Sequence, residues 1–253
     1  MNVLRYWTSD EFEISSYKWK LEDRKNTIHT TSGSDNSGLC TYTYNELGFR
    51  GDSINKKGFK VMSLGCSLTE GVGVNDNETW PAQFCSHIPN SVNFNFGTGG
   101  RSNDFITRCL LSFFDLIKPD LVLVLYTYKH RREIYTNTNG VEPYIPGKSW
   151  GYLEETLEGR NIQQLKDGLG NDNEDFINWY KNHLLITNFL QCKNVPFVWN
   201  GSLAEIEYTD TNKFDYDYTS FLDLGKDNSH PGSEHNKIYS QNLYDYAHSK
   251  KII

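Results

Sequence analysis

From Gly58 onward the chain alternates short apolar runs with longer mixed segments, and this alternation leaves few architectures open. The runs FKVMSL (59–64), SVNFNF (91–96), DLVLVLY (120–126) and VPFVWN (195–200) read as strands buried on both faces, with a weaker one at YTSFLDL (218–224). Helical periodicity fills the intervals at about 80–88, 103–117, 174–191 and 233–248. The order β-α-β-α-β-α-β-(β)-α implies an α/β domain: a central parallel sheet, helices on both faces in three α/β/α layers, and right-handed crossovers. Ligands of such sheets bind at the carboxyl ends of the strands.

Residues 1–57 lack this texture. They are polar and aromatic, include the loop-like TTSGSDNSG (30–38), and read as an N-terminal extension packed on the main domain of residues 58–253. Residues 136–173, rich in Gly, Asn and Glu with aromatics at Tyr144, Trp150 and Tyr152, are too long for an ordinary connection. They read as an insertion beside the ligand-binding edge, suited to substrate contacts or an interface.

Charge and cysteine usage narrow the function classes. A formal charge of −7 offers no footprint for a phosphate backbone, so nucleic acid is not an expected partner. The five cysteines, at 40, 66, 85, 109 and 192, form no CxxC pair and no zinc-like spacing, which fits reduced thiols in a cytoplasmic setting. No signal peptide is expected, since MNVLRYWTSDEFEISS lacks an uninterrupted apolar run, and no membrane span, since eighteen apolar residues nowhere run together. His87, His183, His235 and His248 form no metal-binding grouping, so no metal is expected.

Three stretches carry candidate chemistry. In VMSLGCSLTEG (61–71), Ser67 follows a central strand in a turn that Gly65 allows to be tight; it reads either as an exposed nucleophile or as a helix cap. Cys66 beside it points the opposite way at a strand end, so only one of the two can face a base. In NFGTGGRSND (95–104), the spacing matches neither phosphate-binding glycine motif; Gly100 can present a bare N–H to an oxyanion, or the turn is simply tight and capped by Ser102. In DNSHPG (227–232), Asp227 and His230 stand three apart on a loop stiffened by Pro231, a spacing that lets the carboxylate orient the imidazole and that also occurs in plain loops.

Taken in this order, GCSLTEG, NFGTGG and DNSHPG resemble the blocks of the SGNH (GDSL-type) hydrolase superfamily, with Cys66 where the family's first block has Asp. NELGFRG (45–51) and GVGVNDNETWPAQF (71–84) look like segments that flank the nucleophile block in a bacterial and phage subset. The resemblance implies a flavodoxin-like fold, a nucleophile at Ser67, a general base at His230, an orienting carboxylate at Asp227, and oxyanion donors in the N–H groups of Ser67 and Gly100. It implies ester hydrolysis without a cofactor, on a small-molecule or carbohydrate ester; the aromatic insertion makes a carbohydrate O-acetyl ester the first expectation.

One block departs from the family. Its third oxyanion donor is an Asn after the third strand, but here DLVLVLY runs into Thr127, Tyr128, Lys129 and His130 with no Asn. Tyr128, Lys129 or His130 can stand in its place, or the donor is absent. Arg131 and Arg132 can bind an anionic group of the substrate or be held in ion pairs. The missing Asn keeps a competing expectation open, an SGNH-fold binding or structural protein with weak or no catalysis.

Overall fold

The computed structural model describes residues 24–32, 39–136, 140–144, 172–204 and 206–253. An antiparallel pair, β1 (Ile28–Ser32) and β2 (Leu39–Thr43), is followed by the two-residue β3 (Arg50–Gly51). The alternating part then runs β4 (Phe59–Leu64), α1 (Ser67–Glu70), α2 (Trp80–Ser86), β5 (Ser91–Asn95), α3 (Asn103–Ile117) and β6 (Leu121–Leu125). A hairpin of β7 (Arg132–Thr136) and β8 (Gly140–Tyr144) precedes α4 (Asp172–Lys193), β9 (Phe197–Asn200) and α5 (Ser233–Ser249).

The central sheet has the order β3-β5-β4-β6-β9. Only β3, at the edge, is antiparallel to its neighbour; the other four strands are parallel. In chain order those four lie second, first, third, fourth, the flavodoxin-like doubly wound arrangement. The chain leaves β4 to one side for β5 and to the other for β6, so the switch point lies at the carboxyl end of β4, just before Ser67.

Alternation along the strands builds the three layers. On β6 every residue is buried: Val122 and Val124 join Phe105, Leu110, Trp179 and Ile186 of α3 and α4, whereas Leu121, Leu123 and Leu125 join Trp80, Phe84, Tyr239 and Leu243 of α2 and α5. Each such aliphatic side chain contributes about 1.5–3 kcal/mol when removed from water. Local chemistry sets the helix ends. Ser102 caps α3 by accepting from Phe105 N, and Lys118 ends it in the left-handed region just before Pro119. Thr79 accepts from Ala82 N at the start of α2, where Pro81 occupies the first turn.

The four strong strand expectations and the four helices appear within a few residues of their expected bounds. The weak one at 218–224 does not form, and only Leu224 bridges to Pro231. There side chains take the backbone donors instead: Asp217 accepts from Thr219 N and His235 Nδ1 from Leu222 N, while the Asp223 carboxylate is turned to the N–H groups of Glu234 and His235 at the start of α5. The expected insertion at 136–173, Trp150 and Tyr152 included, lies mostly outside the described residues. None of the described helices is long and apolar enough to cross a membrane.

Candidate active site

Ser67 is set by the abrupt end of β4. Cys66, 1% exposed, turns into the core beneath α2 and α5, while Ser67 opens α1 half-buried. Thr69 N and Glu70 N both bond to Cys66 O, so the amides of Ser67 and Leu68 have no acceptor inside this first turn. Gly65 is required by contact: a Cβ there would lie 2.0 Å from Thr69 Oγ1.

The turn after β5 is fastened to α1. Asn95 donates from Nδ2 to Thr69 O at 2.7 Å, and its Oδ1 accepts from Gly97 N at 2.9 Å. Gly97 presses on α1 so closely that a Cβ would come within 2.1 Å of Glu70 N. Gly99 donates its N–H to Glu70 Oε2 at 2.6 Å, and a Cβ on Gly99 would stand 3.8 Å from Ser67 Cβ. Gly100 follows in the left-handed region (φ 72°).

The third stretch forms a closed loop against the same segment. His230 Nδ1 lies 2.5 Å from Asp227 Oδ2, and Asp227 Oδ1 accepts from the backbone N–H of Ser229 and His230. Asn228 takes φ 53°, and Gly225 N closes the loop on His230 O at 2.7 Å. Lys226 N donates to Gly73 O at 2.8 Å, which ties the loop to the chain just beyond α1. Partial burial raises the Asp227 carboxyl, but the hydrogen bonds from His230 and Ser229 outweigh it and leave the group below its ordinary value. An ionised Asp227 only accepts, so the ring donates from Nδ1, and in the neutral imidazole the lone pair then lies on Nε2. Among the described residues no hydrogen bond joins Ser67 to His230.

At the end of β6, Thr127 is buried and pinned: Asn103 Oδ1 accepts its N–H at 3.0 Å and Asn103 Nδ2 donates to its carbonyl at 3.1 Å. Tyr128 is 40% exposed, stacks on His130 at 5.4 Å, and carries the Arg131 guanidinium over its ring. Arg131 also donates to Thr127 Oγ1. Lys129 pairs with Asp172 at 3.4 Å, and Arg132 with Asp175 at 3.1 Å. Glu133 is taken by Arg108.

Several residues that shape this edge carry no sequence signal of their own. Glu70, 3% exposed, accepts from Arg24 and Tyr44 besides Gly99. Arg50, the Arg of NELGFRG, is buried with its guanidinium on the carbonyls of Glu70, Gly71 and Val74 and on Asp76. Tyr42 Oη accepts from Gly73 N. Only contact in space unites these groups, and the partners lie 20 to 46 positions apart for Glu70 and Arg50. Among the described residues no three His, Cys, Asp or Glu converge as a metal site requires.

No protein-family profile matches the chain, and no curated protein matches it. Solved structures do. A lipolytic protein of the G-D-S-L family from Desulfitobacterium hafniense matches with 16% identity over 77% of this chain and 99% of its own, TM-score 0.33. A carbohydrate acetylesterase family member from Sinorhizobium meliloti matches with 11% identity over 76% and 98%, TM-score 0.35. A family 3 carbohydrate esterase from Clostridium thermocellum matches with 16% identity over 76% and 96%, TM-score 0.34.

Proposed function

We propose that the protein is a serine esterase of the SGNH type. The observation that carries the reading is the Asp227–His230 pair, held in a loop that is hydrogen-bonded to the chain immediately after the Ser67 turn. Ser67 Oγ attacks the acyl carbonyl carbon while its proton passes to His230 Nε2. The intermediate's oxyanion is met by the N–H groups of Ser67 and Gly100. Collapse breaks the bond to the leaving alcohol, which takes the proton from His230; water then repeats the sequence on the acyl-enzyme and restores Ser67. Asp227 holds the ring in the tautomer that leaves Nε2 able to accept and stabilises the imidazolium that forms. As substrate we propose a short acyl ester on a carbohydrate, since the partly exposed Tyr128 stands just past the carboxyl end of β6, the strand paired in parallel with the one that leads to Ser67.

The test is labelling with a fluorophosphonate, mapped by mass spectrometry, together with turnover of p-nitrophenyl acetate and of acetylated sugars. Modification is expected at Ser67, and Ser67→Ala should abolish turnover. A label on any other serine, or equal hydrolysis by wild type and Ser67→Ala, overturns the assignment. The second reading, a binding protein on the same fold, is favoured by one observation: Thr127 to His130 supply no Asn where the family has a third donor. Unlabelled protein that still binds acetylated sugar would establish it.

A further inference from the structure

Glu70 is an acid buried one helical turn from Ser67, and the esterase chemistry gives it no part. Its two oxygens are divided. Oε2 accepts the Gly99 N–H at 2.6 Å, while Oε1 accepts from Arg24 Nη1 at 3.0 Å and Tyr44 Oη at 3.4 Å. Its backbone is fixed as well, with Arg50 Nη1 on its carbonyl and Gly97 packed against its amide. Asn95 and Gly97 fasten the start of the turn to α1, and at Gly99 the Glu70 carboxylate holds it.

We infer that Glu70 is a positioning residue for the oxyanion turn, and that Arg24 is the counter-charge which makes a carboxylate tolerable there. By taking the N–H of Gly99, the glycine that lies against Ser67, Glu70 fixes the glycine pair, which has no side chains of its own to hold it, and leaves the following amide, that of Gly100, as the donor for the oxyanion. The cost is electrostatic. A buried negative charge near the acyl oxygen opposes the negative charge that develops on it, and the Arg24 guanidinium cancels this at the carboxylate's other oxygen. Arg24 and Tyr44 precede the α/β part of the chain, so through Glu70 the N-terminal segment becomes part of the catalytic frame. The inference rests on the esterase reading.

The test compares Glu70→Ala, Glu70→Gln, Arg24→Met and the double variant Arg24→Met/Glu70→Gln in the full chain. The readouts are kcat and KM on p-nitrophenyl acetate, the rate of fluorophosphonate labelling at Ser67, and circular dichroism melting. Glu70→Ala should lower kcat and labelling about a hundredfold with KM changed by less than about threefold, the pattern of a lost transition-state donor. Glu70→Gln keeps one oxygen for the Gly99 N–H, turns its amide nitrogen to Tyr44 Oη and releases Arg24, and should recover most of that loss. Arg24→Met should lower kcat about tenfold by leaving the charge of Glu70 uncompensated, and the double variant should restore it. Equal losses in Glu70→Ala and Glu70→Gln, or an Arg24→Met defect that the double variant does not relieve, overturn the inference. Should Glu70→Ala melt below the assay temperature, the other three variants decide alone. Wild type that is not labelled at Ser67 rejects the esterase reading itself, and the inference falls with it.

Discussion

His230 donates from Nδ1 to Asp227 Oδ2 across 2.5 Å, on a loop whose Lys226 N–H is bonded to Gly73. The dyad is therefore built twice over, by its own three-residue spacing and by its attachment to the segment that leaves Ser67.

Asp227→Asn is expected to keep the loop and lose the tautomer. An amide can donate to Nδ1, which moves the ring proton to Nε2 and removes the acceptor that the proposed Ser67 nucleophile requires, so under that proposal kcat should fall by about 10³–10⁴-fold. Steady-state kinetics on an aryl acetate measures this. A drop below about tenfold would mean that Asp227 has no such role. The same variant tests stability. Asp227 is held below its ordinary value, so its contribution is present above the unfolded pKa, about 3.9, and is lost as pH falls through the folded one. The difference in unfolding free energy between wild type and Asp227→Asn should be present at pH 7 and shrink on acidification below about 4.

Gly73→Ala should damage the site from behind. A Cβ at Gly73 would stand 2.5 Å from Asp227 Oδ1, and the residue has φ 88°, where an L side chain is strained. The left-handed conformation alone costs about 1–3 kcal/mol. Gly58→Ala is the control, because Gly58 (φ 150°) sits at the amino end of β4, against Asn90 O. Both variants should lower Tm, but only Gly73→Ala should lower kcat of the folded enzyme. Equal kcat in the two would separate Gly73 from the dyad.

The strands and helices were legible because burial on both sheet faces writes itself as unbroken apolar runs such as LVLVL, and because Ser102 and Lys118-Pro119 mark the ends of α3 locally. Ser67, Gly100, Asp227 and His230 stand as candidates because their three stretches, taken in order, resemble the blocks of one family; alone, each stretch also fits a cap, a tight turn or a plain loop. Glu70 lay inside one of those stretches and went unnoticed, since its role depends on Arg24 and Tyr44, 46 and 26 positions away. Asn103 has the local signature of a helix start only, yet it holds the backbone of Thr127 from 24 positions off. The segment 218–224 forms no strand for the opposite reason: its residue pattern suits one, but the N–H groups of Thr219 and Leu222 go to the side chains of Asp217 and His235.

Lys129 is expected to contribute little to the reaction. Its ammonium pairs with Asp172, whose side chain is 92% exposed, and an exposed pair of this kind adds at most about 1 kcal/mol to stability. Lys129→Ala should leave kcat within about threefold of wild type, whereas loss of an oxyanion donor would cost about a hundredfold or more. Kinetics of this single variant decides whether the cationic residue of the 128–130 turn stands in for the missing Asn.

Behind that turn runs a second polar chain, from Tyr126 Oη to His183 Nδ1 (3.1 Å) and from His183 Nε2 to Asp210 Oδ2 (3.2 Å). Tyr126 and His183 are buried among Trp179 and Trp199, whose rings pack on His183, and Trp199 Nε1 donates to Asp210 at 2.9 Å. Burial alone would raise the Asp210 carboxyl, but hydrogen bonds from His183, Trp199 and the Asn212 N–H hold it below its ordinary value. A depressed carboxylate stabilises the fold above its unfolded pKa of about 3.9 and loses that contribution as pH falls through the folded value. Asp210→Asn, or His183→Phe, leaves buried donors without acceptors and should cost about 1–3 kcal/mol at pH 7. Denaturant unfolding at pH 7 and again near pH 3 measures it. The penalty of Asp210→Asn should narrow at the lower pH, because wild-type Asp210 then takes up a proton and loses the same interactions; a penalty that is constant across this range would place the stabilising charge elsewhere.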